Sequence, residues 1–343
     1  MNPFSGGSAR GHRPRGPLVG AAVALAAIVV ALVVVLVASQ GRSRPPEDAG
    51  EPAPTTTEAG RVPRTGPSGQ GPTTTTKAGA GAEISSCQPV AQPFPVGERT
   101  CTIVRPPNVR SGERLPAVLL LHGWNTTPSQ VLTNGDWTEA VVRHRLIVAA
   151  PQGVFSGWNA GGCCGLSQSA QIDDVGFLQQ VVAQLRARPD VDPARVYAVG
   201  ESNGGMMVYR LLCSAAGELA GAASVEGTPV AGCEPDRPLP IIHVHGTSDA
   251  AVPFHGGQSP ISWVLGVTFP PVETALGRIA GSEGCVGEPR TTGDGPVRVT
   301  EWSGCTGGVR MRLVALDGVG HEWPRGQRFD ATEEILDFFG IAA

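Results

Sequence analysis

The sequence predicts an α/β fold, a mostly parallel sheet covered by helices on both faces. Three observations point to it. Short β-branched apolar runs alternate with longer stretches of helical period from about residue 100 to the C-terminus. The 343 residues, 41% hydrophobic and 16% charged, suffice for one large core, and about 250 residues in one α/β domain is ordinary. One apolar run, Arg195 to Val199, ends in Gly200-Glu201-Ser202-Asn203-Gly204 and passes straight into a helix-compatible stretch reaching Cys213.

Taken in order, the chain begins with a basic segment, 1–17, containing Arg10, Arg13 and Arg15. Residues 18–38 are unbroken apolar sequence. At about 1.5 Å per residue they are long enough for a ~30 Å hydrocarbon core. The run exceeds the usual secretory core of about 7–15 residues and lacks a good small-x-small cleavage site. A transmembrane signal anchor is therefore expected, with a cleaved signal peptide as the alternative; segment 1–17 would then be cytoplasmic. Residues 39–86, rich in Pro, Thr, Gly, Ser and Ala, bury too little apolar surface to offset ordering entropy and read as a disordered linker. A single folded domain is expected over 87–343.

Within it, strands are predicted at Thr100–Arg105, Ala117–Leu121 and Leu146–Ala150, with a helix from Asn134 to His144 between the last two. A strong helical pattern spans Ile172 to Arg188, with Val175, Leu178, Val181, Val182 and Leu185 on one face and Asp173 or Asp174 as N-cap. After strand 195–200 come Ala220–Val225, a strand Pro240–His245, a helix near Val272–Ala280, strands near 297–302 and 309–315, and a helix from about Thr332 to Phe339.

Gly-x-Ser-x-Gly between strand and helix is a sharp reversal that exposes the serine hydroxyl. Ser202 is therefore the candidate nucleophile. It needs a base, and the base needs an orienting acid, on loops after strand ends. Asp249, after strand 240–245, is the candidate acid. His321, in the Gly-rich loop after strand 309–315, is the candidate base. Glu322 and Asp317 are alternative acids. His243 and His245 read as packing residues, one in the core and one at an edge or loop. Two backbone N–H groups, of Asn203 and of Trp124, are the candidate oxyanion donors, while His122 reads as structural. Trp158 and Trp323 lie on loops expected to converge on Ser202, as a substrate-binding surface or as a rigid floor.

The net charge of −4 and the absence of a basic block past the N-terminus argue against nucleic acid as a partner. No cofactor is implied, and no motif supports a metal site. Eight cysteines, all past residue 86, favour disulfides and an oxidising, extracytoplasmic setting. Cys87–Cys101 and Cys285–Cys305 are expected as local pairs. Of the three connectivities left for Cys163, Cys164, Cys213 and Cys233, the favoured ones bond the adjacent pair outward, to Cys213 and Cys233, because a bond between neighbours strains the backbone.

Six motifs in order, LLLHGW (119–124), GWNAGGCCG (157–165), DDVGF (173–177), GESNGGMM (200–207), HVHGTSDAAVPFHGG (243–257) and GVGHEWP (318–324), resemble one group. It is the secreted poly(3-hydroxybutyrate) depolymerase-like and feruloyl or acetylxylan esterase-like branch of the α/β-hydrolases. The resemblance runs from about Cys87 to the C-terminus. It implies an α/β-hydrolase fold and cofactor-free hydrolysis of carboxylic esters by a Ser-Asp-His triad, roles that fall on Ser202, Asp249 and His321. The expected protein is an extracytoplasmic serine esterase, membrane-anchored or secreted, acting on a small or oligomeric ester: a polyhydroxyalkanoate oligomer, or a feruloyl or acetyl ester. Acyl transfer to a cell-envelope sugar and a catalytically silent binding domain are the alternatives.

Overall fold

A computed structural model describes residues 81–88, 90–92 and 97–341. The basic segment, the anchor and all of the linker but its last residues lie outside them. Among the described residues no helix is long and apolar enough to cross a membrane.

A ten-stranded sheet forms the frame. In chain order the strands are β1 (Glu83–Ser86), β2 (Val90–Gln92), β3 (Gly97–Arg99), β4 (Cys101–Arg105), β5 (Leu115–Leu121), β6 (Ile147–Pro151), β7 (Val191–Glu201), β8 (Gly221–Val225), β9 (Ile241–Gly246), β10 (Arg290–Thr292), β11 (Val297–Trp302) and β12 (Met311–Leu316). The large sheet runs β1-β4-β6-β5-β7-β8-β9-β12-β11-β10, while β2 and β3 form a separate hairpin. From β6 to β12 neighbours are parallel; β1, β4, β11 and β10 add antiparallel edges. The expectation of a mostly parallel sheet holds.

The helices are α1 (Pro128–Asn134), α2 (Trp137–Arg143), α3 (Gly165–Ser169), α4 (Asp174–Ala187), α5 (Asn203–Ala215), α6 (Pro260–Leu265), α7 (Val272–Ser282) and α8 (Ala331–Phe338). The helix expected over 134–144 is really two. Thr127 caps α1, and Asp136, at φ 48°, turns the chain before α2. β1 pairs with β4, so the folded part starts at least four residues before Cys87, inside the predicted linker. Its exposed side chains hid it, because main-chain pairing at an edge needs no apolar pattern.

Strand β5 is buried along its whole length, as a central parallel strand must be. Leu119 and Leu121 join the core layer of α4 and α5, with Phe177, Leu178, Leu211 and Leu212. Val118 and Leu120 join the opposite layer of α2 and α8, with Trp137, Ile335 and Leu336. Register then fixes the functional edge. Leu121 pairs with Gly200, Glu201 with Val225, and Gly246 with Leu316. The loops after β5, β7, β8, β9 and β12 therefore leave the sheet side by side.

The disulfides Cys87–Cys101 and Cys285–Cys305 form as expected. The other expectation is corrected: Cys163 bonds Cys164 and Cys213 bonds Cys233. Cys213 lies in the last turn of α5, and the 233–236 loop is held against that turn by the Asp236 N–H on the Leu212 carbonyl. The cysteine pair instead lies buried in the loop after β6, where Ala160 N–H to Cys163 O and Cys164 N–H to Trp158 O hold it.

Candidate active site

The reversal after β7 is as tight as the motif predicts. Ser202 sits at φ 53°, ψ −120°, a conformation an L-residue holds only under strain. A Cβ on Gly200 would strike the backbone of Gly204, and one on Gly204 the Leu121 carbonyl. The Ser202 N–H donates to Val225 O (2.7 Å), and its carbonyl accepts from Met206 N–H (3.0 Å). Strand β8 and α5 thus hold the strained residue from both sides.

His321 Nε2 lies 3.0 Å from Ser202 Oγ, and its Nδ1 lies 2.7 Å from Asp249 Oδ2. Asp249 Oδ1 accepts the N–H groups of Ala251 and Val252, each at 2.7 Å. Burial alone would raise the Asp249 pKa. Hydrogen bonds from His245, His321 and Glu226 outweigh it and hold the carboxyl well below the usual range. Burial likewise disfavours charge on His321, yet its bonds to Asp249 and then Glu226 raise its pKa above the ordinary imidazole value. In the neutral ring Nδ1–H donates to Asp249, so Nε2 presents its lone pair to the serine hydroxyl, the state a general base requires. Of the alternative acids, Asp317 is bonded to Thr247 (3.1 Å) and Glu322 is exposed.

Glu226, just past β8 and itself at φ 57°, is the site residue that the motifs missed. It is fully buried; Oε1 accepts from Gly246 N–H (3.0 Å), and Oε2 lies 3.5 Å from His321 Nδ1. Burial pushes its carboxyl well above the usual range, partly opposed by His321 and reinforced by Asp249. Strand β8 ends on the same sheet edge as β7 and β9, so the strand-end rule that found Asp249 also pointed here.

Asn203 follows Ser202 directly, and Trp124 follows Gly123 in the loop after β5. Gly123 packs against the serine, since a Cβ there would sit 3.4 Å from Ser202 Cβ. Neither the Trp124 nor the Asn203 N–H has a protein acceptor among the described residues. The Asn203 side chain accepts from Trp158 N–H (2.7 Å) and donates to Trp158 O (3.1 Å), locking the loop after β6 onto the start of α5. His122 is structural, as expected. Its Nδ1 donates to Gly123 O (2.7 Å), Nε2 accepts from Gly153 N–H (2.9 Å), and burial lowers its pKa to about 4.

Trp158 and Trp323 are both buried. Trp158 is 0% exposed, donating from Nε1 to His122 O (2.9 Å). Arg99 packs over Phe177 and Trp158 while pairing with buried Asp174 at 2.8 Å. Asp173 caps α4, accepting from Gly176 N–H, and Asp174 braces the loop through Asn159 N–H. Trp323 is 5% exposed, edge-on to Trp137 and bonded to Thr332 Oγ1 (3.0 Å). Only its margin reaches a pocket of about 240 Å³ beside His321, which Asn134, Glu201, Glu322 and Arg325 also line. The anchoring N–H bonds were invisible in sequence, where an indole on a loop reads equally as floor or wall.

No family model matches the chain. Over 230 residues it is 30% identical to "Putative esterase NocK" of Nocardia uniformis subsp. tsuyamanensis, covering 62% of this chain and 67% of that one. It is also 30% identical over 230 residues to feruloyl esterase B of Piromyces equi, covering 64% of this chain but only 42% of that longer protein. Among solved structures, an acetyl xylan esterase from Aspergillus awamori superposes with a TM-score of 0.54, at 16% identity, over 75% of this chain and 100% of that one. That likeness shows the fold. The chain belongs to the esterase family of these relatives, whose named members include feruloyl and acetylxylan esterases, and it has an α/β-hydrolase fold.

Proposed function

We propose that the protein is a serine esterase that hydrolyses carboxylic esters through an acyl-enzyme. Ser202 Oγ attacks the ester carbonyl while His321 Nε2 takes its proton and returns it to the leaving alcohol. Asp249 holds the imidazole tautomer and faces the imidazolium that forms. The Asn203 and Trp124 amides stabilise the tetrahedral oxyanion, and water then releases the acid by the same route. The observation that carries this reading is the unbroken Ser202–His321–Asp249 hydrogen-bond line at a strained strand-to-helix turn.

The relatives' names point to feruloyl or acetyl esters as the substrates to try first, with 3-hydroxybutyrate oligomers as the contrast. Four disulfides fit an extracytoplasmic site of action. In this reading residues 18–38 tether the catalytic domain through the 39–80 linker, and retention in carbonate-washed membranes tests the tether. For the activity, the wild type is expected to hydrolyse p-nitrophenyl acetate, and Ser202→Ala to lose on the order of 10³-fold or more in kcat. Ser202→Ala retaining more than a few per cent of the rate would remove the serine from the mechanism.

A further inference from the structure

Behind the acid lies a line of buried polar side chains that the mechanism above does not use. Tyr209 Oη is 2.9 Å from His243 Nδ1, and His243 Nε2 is 2.9 Å from His245 Nδ1. His245 Nε2 is 2.8 Å from Val252 O and 3.2 Å from Asp249 Oδ2. The two imidazole planes lie 11° apart, and none of the three residues is more than 4% exposed. Alternate residues of a strand point the same way, so His243 and His245 share one face of β9, not core and edge as expected from sequence.

We propose that Tyr209, His243 and His245 are positioning residues: a one-directional hydrogen-bond chain that fixes Asp249, and through it His321, for the reaction proposed above. The direction follows from its ends. A carbonyl only accepts, so His245 Nε2 carries the hydrogen that faces Val252 O and Asp249. A neutral His245 then offers its Nδ1 lone pair, which the Nε2–H of His243 fills. That leaves the Nδ1 lone pair of His243 for the Tyr209 hydroxyl. The reverse direction would leave the Tyr209 proton buried without an acceptor among the described residues. Every donor in the chain thus points toward Asp249, and each bond polarises the next.

The chain also ties two parts of the site together. Tyr209 lies on α5, the helix that begins at the Ser202 turn, while His245 and Asp249 belong to β9 and its loop. Apolar side chains would fill the same core without the desolvation cost of three polar groups. The arrangement supplies instead a donor to the buried carboxylate, in addition to the Ala251 and Val252 N–H groups.

The consequence is a shift in the titration of His321. Asp249 is faced by His245 from β9, Glu226 from the turn after β8, and His321 itself. His321 is faced by Asp249 and Glu226, by Glu201 from the end of β7, and by Glu322 and Arg325 across the adjoining pocket. Removing a donor from Asp249 leaves its charge less shared, so it holds the His321 proton more tightly. The His321 titration should move to higher pH, and the acid limb of kcat/KM should move with it, since the base must be unprotonated to act.

The test is an NMR titration of His321 in the full chain, as wild type, Tyr209→Phe and His245→Leu, with thermal unfolding to confirm folding. Tyr209→Phe keeps the ring and removes only the terminal hydroxyl, so it serves if His245→Leu does not fold. Both variants should titrate higher than wild type, His245→Leu by on the order of half a pH unit or more and Tyr209→Phe by less. On p-nitrophenyl acetate, His245→Leu should lose about tenfold in kcat with KM nearly unchanged. An unmoved His321 titration in a folded variant would overturn the proposal, even if activity falls. A wild type that hydrolyses no ester would instead remove the esterase reading, and the His321 titration would still decide the chain.

Discussion

The turn after β8 and the loop after β9 each bury a carboxyl group within reach of the same imidazole, yet their pKa values shift in opposite directions. Asp249 receives two backbone N–H groups, the His245 ring and His321, and stays ionised despite its burial. Glu226 receives one backbone N–H, from Gly246, and burial raises its pKa well above the usual carboxylate range. Burial is common to both, so the number of donors decides. Two adjacent carboxylates without that difference would repel each other and weaken the hold on His321.

The same oxygen-to-amide exchange at the two positions should therefore give very different results. Asp249→Asn turns an N–H donor toward His321 Nδ1 and favours the wrong tautomer, so kcat should fall on the order of 10³-fold or more with KM little changed. Steady-state kinetics on p-nitrophenyl acetate measure this; a loss below about tenfold would move the acid role off Asp249. Glu226→Gln keeps the side-chain shape and the oxygen that accepts from Gly246 N–H. Its kcat should stay within about threefold of wild type, since burial already raises the Glu226 pKa and disfavours its charge. A loss as large as that of Asp249→Asn would show that Glu226 acts as a carboxylate.

Glu283 extends the comparison away from the site. It is 1% exposed, Oε2 accepts from Leu239 N–H (3.0 Å), and burial lifts its pKa to about 7. The folded pKa lies above the unfolded one, so the stability it contributes is complete below about pH 4.5 and is lost as pH rises through about 7. Glu283→Gln should therefore unfold at a higher temperature than wild type at pH 8, with the difference closing at pH 5. A difference that is the same at both pH values would mean the carboxyl is already ionised in the fold.

How far the sequence reaches depends on what each feature rests on. Ser202, Asp249 and His321 were legible because a nucleophile turn has a glycine signature and its partners must sit after strand ends on one sheet edge. The central strands were legible because a strand buried on both faces must be apolar throughout. Glu226 obeyed the same strand-end rule, but its turn carries no glycine pattern beyond Gly227. The break between α1 and α2 had a local signal in Thr127-Pro128 and Gly135-Asp136. The Cys163–Cys164 bond and the burial of Trp158 had none, because both depend on how the loop after β6 lies against Asn203 and His122. The alternation of His243 and His245 was visible, but the partner that gives it meaning, Tyr209, lies 34 residues away on another element.

In the proposed mechanism Ser202, activated through His321, is the nucleophile. Its most direct test is peptide mapping by mass spectrometry after incubation of the full chain with a p-nitrophenyl phosphonate. A single covalent adduct on the peptide carrying Ser202, formed at a rate that falls sharply in Asp249→Asn, is the result expected. A folded protein that acquires no adduct, or acquires it on another residue, would rule out Ser202 as the nucleophile.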